Sequence, residues 1–383
     1  MNNVSNHPTI SIDEIVRPTK VEVNLSSLKE NYLNIKKHIG SAKIMPVLKA
    51  NAYGHGLVRI AQFYQELNAD YLGVAVVEEG ILLRQYGITM PILVLGGVWE
   101  NQIPLFLKND LAITASSIDK LRQIEQAASQ MKLNSRVHLI LDTGIERTGV
   151  HYYNSEKFLT EAYKCKHVFV EGIYSHYANS DSSDLNYTRL QFERFMEALS
   201  FFDKHSLEKP IRHISNSGAV LQFPDSNLDM IRPGILLYGV YPSNEIKKTI
   251  AVKPVLTWKS LVVYFKVIAP DHPVGYGSTW RTDHNVRAVT VPVGYGDGYF
   301  CNMSSKASVI IRGKKYPVIG RISMDQIVVN IEMGTAYNGD EVILLGTDGK
   351  NSITCEELAE WADTIPYEIL TNINTRVPRI YIE

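Results

Sequence analysis

Cysteine is scarce in this 383-residue chain: Cys165, Cys301 and Cys355 are far apart and odd in number. No C-x-x-C pair occurs, so neither a disulfide framework nor a zinc site is indicated; free thiols in a reducing compartment are expected. Net charge is nearly absent as well. Lys+Arg total 39 against 40 Asp+Glu, a formal charge of −1. Without a dense basic run, that balance gives no bulk attraction to nucleic acid or to an anionic membrane. No apolar run approaches the ~18–20 residues that span a bilayer. The first residues, M-N-N-V-S-N-H-P-T-I-S-I-D-E, lack the basic start and apolar core of a signal peptide. Internal repeats and low-complexity linkers are also missing. The expectation is a cytoplasmic protein without a resident metal.

What the chain has is a composition for burial. Hydrophobic residues make up 45% and charged residues 21%, which fits a globular protein, and the length predicts about two domains at roughly 100–200 residues each. Short runs rich in Val, Ile and Leu recur at 43–49, 71–77, 91–97, 111–116, 137–143, 168–176, 212–217 and 230–235. They alternate little with polar residues, the pattern of strands buried on both faces in a parallel sheet. Between them lie helical periodicities. Phe192, Phe195, Met196, Leu199 and Phe202, spaced by threes and fours, predict one apolar helix face. Eight strands separated by helices predict a (β/α)8 barrel over residues 25–245. A doubly wound open sheet gives similar alternation, and the count of eight is what separates the two.

After about residue 245 the texture changes. V-L-T-W-K-S-L-V-V-Y-F-K-V-I, R-A-V-T-V-P-V, A-S-V-I-I-R, Y-P-V-I-G-R and D-E-V-I-L-L-G are strand-like, with turn signals such as N-G-D between them. A mostly β domain is expected over 246–383, with one short helix near C-E-E-L-A-E-W-A. The early run T-K-V-E-V-N-L (19–25) alternates like a strand, and the segment 1–24 is expected to pair with this β domain.

The most informative string is V-L-K-A-N-A-Y-G-H-G (47–56). It sets Lys49 at the end of an apolar strand, before a glycine-containing turn and a helix. Side chains at the C-terminal strand ends of a barrel form its active site. Desolvation and cationic neighbours there lower a lysine pKa and make its amine a nucleophile for a Schiff base.

This string resembles the cofactor-lysine motif of the alanine racemases, enzymes that bind pyridoxal 5′-phosphate (PLP). The resemblance continues in order through L-D-T-G-I-E-R-T-G-V (141–150), Y-S-H-Y-A-N-S-D (174–181), S-N-S (215–217), I-R-P-G-I-L-L-Y-G (231–239), V-G-Y-G-S-T-W (274–280), V-G-Y-G-D-G-Y (293–299), V-I-G-R-I-S-M-D-Q (318–326) and R-V-P-R-I (376–380). It implies a PLP barrel followed by a β domain, acting as a homodimer on a small amino acid. Lys49 and Tyr276 would be the two bases, on opposite faces of the substrate, with Tyr276 serving the partner subunit's site. A tyrosine in that role must be partly ionised, against an ordinary pKa near ~10. Arg232 would face the pyridine nitrogen and disfavour its protonation, with His176 beside it. Tyr53, Ser217, Gly234 and Ile235 would hold the phosphate. Arg147 and the backbone N–H of Met324 would take the substrate carboxylate, an arginine fork suiting two oxygens. Asp181 and Tyr295 would line the access channel.

Three positions depart from the family pattern. Ile140 stands where many members carry a modified lysine, so Arg147 must be held in another way. Thr375 replaces a tyrosine before R-V-P-R, which predicts a roomier pocket and a broader substrate range. Phe300-Cys301 replaces a basic residue. Two rival readings are a barrel-type PLP decarboxylase for basic amino acids, which typically sets an acid against the pyridine nitrogen where this chain has Arg232, and a PLP carrier protein, which is usually a barrel alone.

Overall fold

The computed structural model describes residues 17–383. The described residues divide into two compact units, Ser27–Lys253 on one hand and 17–26 with Pro254–Glu383 on the other. Of the segment 1–24, residues 1–16 lie outside the described residues.

The first unit is a closed barrel. Its strands are β1 (Lys43–Ile44), β2 (Leu72–Val74), β3 (Ile92–Val94), β4 (Ala112–Ala115), β5 (Ser135–Asp142), β6 (Val168–Tyr174), β7 (Ile211–His213) and β8 (Met230–Ile231). Strands β2 to β7 pair in parallel, each with the next. Lys43 and Ile44 pair with Met230 and Ile231 to join β1 to β8. A bridge between Val47 and Gly73 joins β1 to β2. The Arg232 N–H donates to the Ser215 carbonyl at 2.9 Å and joins β8 to β7. The ring therefore closes on eight strands, which settles the alternative of an open sheet. Within it Met45, Tyr71, Leu93, Ala112, Ile140, Tyr174 and Met230 pack as one buried cluster, the side-chain filling that makes such a barrel a core and not a pore.

Two details differ from the sequence reading. The helix Asn186–Lys204 buries Thr188, Gln191, Phe195, Ala198, Leu199 and Phe202, whereas Met196 is exposed. A stripe through 188, 191, 195, 199 and 202 leaves residue 196 about 100° off its centre, so an apolar residue at a spacing of four from Phe192 still faces solvent. The barrel unit also extends past residue 245. Ile246 and Ile250 are buried, and Asn31 accepts from the Lys253 N–H at 2.7 Å while donating to the Lys253 carbonyl at 2.8 Å.

The second unit is built on a ten-stranded sheet. The strand Lys20–Asn24 pairs antiparallel with Leu256–Leu261 and parallel with Arg379–Ile382, and alternation buries Val21 and Val23. The strand Ile327–Glu332 and the helix Pro366–Asn372 are additions to the sequence reading. In the first, Asn330 interrupts the apolar run; in the second, Pro366 occupies the first turn, where its missing N–H costs nothing.

Candidate active site

Lys49 sits where β1 leaves the barrel. The two residues before it are pinned, the Val47 N–H on the Pro233 carbonyl at 3.0 Å and the Leu48 N–H on the Gly73 carbonyl at 2.7 Å. The chain then makes a left-handed turn through Ala50, Asn51, Ala52 and Tyr53, all with φ between +51° and +57°. Left-handed helical backbone costs roughly 1–2 kcal/mol per residue with a Cβ, so tertiary contacts must hold it. Glu79 accepts from the Ala50 N–H at 2.8 Å and from the Ala75 N–H at 2.8 Å. The Asn51 side chain accepts from the Leu57 N–H at 2.8 Å, at the start of the helix Leu57–Glu66. Lys49 keeps solvent access at the barrel mouth, yet protein crowds it. Loss of hydration lowers its pKa first, then the charge of Arg147; Glu79 opposes and Arg232 adds to the lowering. These are the conditions that leave an amine partly neutral and nucleophilic.

Next to it in the same unit lies a set of anion donors. Ser217 begins the short helix Ser217–Gln222, and its hydroxyl accepts from the Gly234 N–H at 2.9 Å and the Leu236 N–H at 3.4 Å. Ile235 opens the 3-10 turn Ile235–Tyr238. Gly234 is required by a close approach: a Cβ there would fall 2.2 Å from the Tyr53 hydroxyl. A hydroxyl pair and backbone N–H groups at one spot suit a phosphate, and with Lys49 these residues fit a phosphorylated aldehyde such as PLP.

Arg232 follows β8 and is 4% exposed. It donates to His213 Nδ1 at 2.8 Å, to the Ser175 carbonyl at 2.7 Å, to the Ile214 carbonyl at 3.2 Å and to His176 Nδ1 at 3.3 Å. It also lies over the Tyr174 ring, 5.1 Å from its centroid. Burial pushes its pKa down to about 10, which still leaves it cationic at neutral pH. Burial, then the Arg232 charge, holds His176 well below its ordinary value, so His176 is neutral and can accept.

Arg147 belongs to a loop built on one carboxylate. Buried Asp142 accepts the backbone N–H groups of Gly144, Ile145 and Glu146 on Oδ1 and of Arg147 on Oδ2, at 2.8–3.2 Å. Ile140 is buried in the apolar cluster of the barrel. What shapes the Arg147 loop is thus its backbone and Asp142. Asp181 lies on a turn, its carbonyl accepting from the Ser243 hydroxyl.

Tyr276, Tyr295 and Met324 belong to the second unit. Tyr276 is 71% exposed, between Gly275 and Gly277 with φ of +73° and +74°. A bridge between Val274 and Trp280 closes the base of its loop. Tyr295 is exposed. Its N–H donates to the Ser323 carbonyl at 3.0 Å, and the Gly296 N–H to the Met324 carbonyl at 2.9 Å. Because C=O and N–H of a trans peptide point opposite ways, the first bond turns the Met324 N–H away from Tyr295. Fully buried Asp297 ties the Tyr295 turn to Arg17 and Arg376: it accepts from Arg17 at 2.6 Å, Arg376 Nε at 2.7 Å and the Gly294 N–H at 3.0 Å. Thr375 is exposed and reaches Asn374 Oδ1 at 3.4 Å.

Sequence reasoning missed the groups behind Arg232, namely His213, His138 and Tyr71, and it missed Asp297 and Glu79. The signal for Asp297 was present, as the acid inside V-G-Y-G-D-G-Y. For His138 and His213 the sole signal was a histidine inside an apolar strand, which more often marks packing.

A barrel with a lysine and an anion cradle at the C-terminal ends of its strands, continued by a β unit, defines a PLP-dependent enzyme of the barrel class. Comparison narrows this. Residues 23–242 match the model of the alanine racemase N-terminal domain and residues 255–381 that of the C-terminal domain. The chain is 40% identical over 369 residues to the alanine racemase of Halothermothrix orenii, covering 96% of this chain and 97% of that one. It is 40% identical over 373 residues to alanine racemase 2 of Caldanaerobacter subterraneus subsp. tengcongensis, covering 97% and 96%. The solved alanine racemase of Clostridium difficile 630 superposes with a TM-score of 0.92 at 36% identity, covering 96% and 97%. The chain belongs to the alanine racemase family, whose members depend on PLP.

Proposed function

We propose that this protein interconverts L-alanine and D-alanine with PLP held covalently on Lys49, and that it supplies D-alanine for peptidoglycan. The observation that carries the reading is Lys49 itself, an accessible amine with a lowered pKa at the mouth of a barrel whose phosphate donors lie in the same unit. When bound, the cofactor's conjugated ring draws electrons from the substrate α-carbon and so acidifies its C–H. Lys49, its amine released when the substrate's amino group takes its place, would move the α-proton on one face, and the Tyr276 hydroxyl would do so on the other. Buried Arg232, a fixed cation, would disfavour protonation of the ring nitrogen and so restrain that electron demand. The Arg147 fork and the Met324 N–H orient the carboxylate, Tyr53, Ser217, Gly234 and Ile235 hold the phosphate, and Asp181 and Tyr295 line the way in.

Tyr276 and Lys49 lie in different units, and the reading completes each site with the Tyr276 of a second copy. Exposed Val263, Tyr264, Phe265 and Val267 on and beside the edge strand Tyr264–Ile268 support a self-associating surface. The free thiols of Cys165, Cys301 and Cys355 support a reducing, cytoplasmic location; among the described residues no helix is long and apolar enough to cross a membrane.

A decarboxylase is disfavoured because a cation, Arg232, occupies the position where that class sets an acid, and a carrier because the second unit is present. Relatives named alanine racemase match almost the whole chain, so the wider substrate range expected from Thr375 is not favoured. Borohydride reduction of the holoenzyme and peptide mapping should place the pyridoxyl group on Lys49, and L-alanine should lose optical activity without CO2 release. A label on another lysine, or CO2 release, overturns the reading.

A further inference from the structure

Behind Arg232 a line of hydrogen-bonded groups crosses the barrel interior, and the mechanism above uses none of them. Arg232 donates to His213 Nδ1 at 2.8 Å. His213 Nε2 lies 2.8 Å from His138 Nδ1. His138 Nε2 lies 3.3 Å from the Tyr71 hydroxyl and 3.5 Å from Glu171 Oε2. Tyr71 donates to that same oxygen, and Arg136 lies 3.6 Å from the other carboxylate oxygen. His213 and His138 are fully buried and Tyr71 nearly so.

The polarity of this line follows from its first member. A guanidinium has donors and no acceptor, so His213 Nδ1 must be the unprotonated nitrogen. A neutral His213 then carries its proton on Nε2 and donates it to His138 Nδ1. His138 in turn carries its proton on Nε2 and donates to the Tyr71 oxygen and to Glu171. Each group has one role left open to it, and the line ends on an acceptor that needs no proton.

The backbone is shaped for this ending. Pairing of β5 with β6 shifts register between Val137 and His138, so that Val137 faces Val170 and His138 faces Gly172. Glu171 is the extra residue of a β-bulge, the device by which a strand re-aims a side chain. Opposite His138 stands a glycine, and a Cβ on Gly172 would fall 2.2 Å from His138 Nδ1. A bulge that turns in a carboxylate and a glycine that admits an imidazole, on adjacent residues, serve one contact.

We infer that Glu171, through Tyr71, His138 and His213, is the remote anchor of Arg232: a positioning residue that fixes both histidine tautomers and holds the guanidinium in place from across the barrel. This rests on the reading of Arg232 as the partner of the cofactor's ring nitrogen. Electrostatics agree with the tautomers. Burial lowers the pKa of His138, and burial followed by the Arg232 charge lowers that of His213, so both are neutral. Burial, then Glu171, raises that of Tyr71, so its hydroxyl keeps its proton. For Glu171 burial acts upward, but the hydrogen bonds from His138 and Tyr71 and the Arg136 charge outweigh it, so the carboxylate stays ionised.

The test is nitrogen NMR on histidine-labelled holoenzyme, with kinetics of Glu171→Gln and Glu171→Asp. Wild type should show His213 and His138 as neutral Nε2–H tautomers, assigned with His138→Gln and His213→Gln. In Glu171→Gln the His138 signals should shift and kcat for alanine should fall about tenfold, the low end of what outer partners of a reactive group usually cost. KM should stay within about twofold, since carboxylate binding is untouched, and Glu171→Asp should recover part of kcat. A charged or Nδ1–H His213 in wild type overturns the inference without need of any variant. So does wild-type kcat in a folded Glu171→Gln. Should the tautomers be as stated while wild type takes no label on Lys49, the functional reading fails and the anchor stands as a property of the barrel alone.

Discussion

Lys49 is distinguished by its neighbours more than by its own chemistry. A fixed cation close by makes an ammonium harder to form, and Arg147 is the largest such charge acting on it. Removing that charge raises the pKa back toward the ordinary lysine value; removing the Glu79 carboxylate does the opposite. In apoenzyme, the pH at which half of Lys49 reacts with an amine-directed reagent should therefore move up in Arg147→Gln and down in Glu79→Gln. Peptide mapping of the labelled fraction across pH measures both, and equal midpoints in all three proteins would show that burial alone sets the value. At this scale the sequence was legible where a residue sits inside a distinctive string, as Lys49, Arg147 and Arg232 do. It was opaque for His138, His213 and Glu171. Their importance lies in pairing across strands β5, β6 and β7, and a bulge at Glu171 leaves no local mark in V-F-V-E-G-I-Y.

The turn Ala50–Tyr53 shows why an element can be hidden from its own residues. Ala-Asn-Ala-Tyr is compatible with an ordinary helix, and alanine is the best right-handed helix former. The left-handed form is imposed from outside, by Glu79 on the Ala50 N–H and by the strand ends that pin Val47 and Leu48. The strain it stores should be measurable. Ala50 has φ +54° and ψ +55°, where glycine sits without penalty. Ala50→Gly should stabilise the protein by about 0.5–1 kcal/mol, the relief of a roughly 1–2 kcal/mol strain less the extra chain entropy of glycine. Ala50→Val, β-branched at positive φ, should destabilise it by about 1 kcal/mol or more. Urea midpoints of the two variants decide the matter; the reverse order would mean that the turn carries no strain. The barrel strands Leu72–Val74, Ile92–Val94 and Ala112–Ala115, by contrast, were legible, because burial on both faces writes itself as short runs of mostly apolar residues.

At the scale of the whole molecule the division of the chain was readable only coarsely, as a change of texture at about residue 245 where the barrel unit runs to Lys253. The alternation in T-K-V-E-V-N-L pointed the early strand Lys20–Asn24 to the β unit, but its particular partners, some 235 and 360 residues later, were not readable, since no local pattern announces which strands meet over such a distance. The same division bears on catalysis. If each site takes Lys49 from one copy and Tyr276 from another, neither Lys49→Ala nor Tyr276→Phe alone can hold a working pair of bases. A hybrid of the two holds one site with both bases and one with neither. Random exchange of equal amounts makes about half of all dimers hybrids with one good site in two, so the mixture should regain roughly a quarter of wild-type activity. Subunit exchange is verified by mass-tagging one variant, and recovery is read as alanine racemisation before and after mixing. Activity that stays at the level of the separate variants while hybrids are present would place both bases within one chain. Recovery that scales with the hybrid fraction would place Tyr276 in the site of its neighbour.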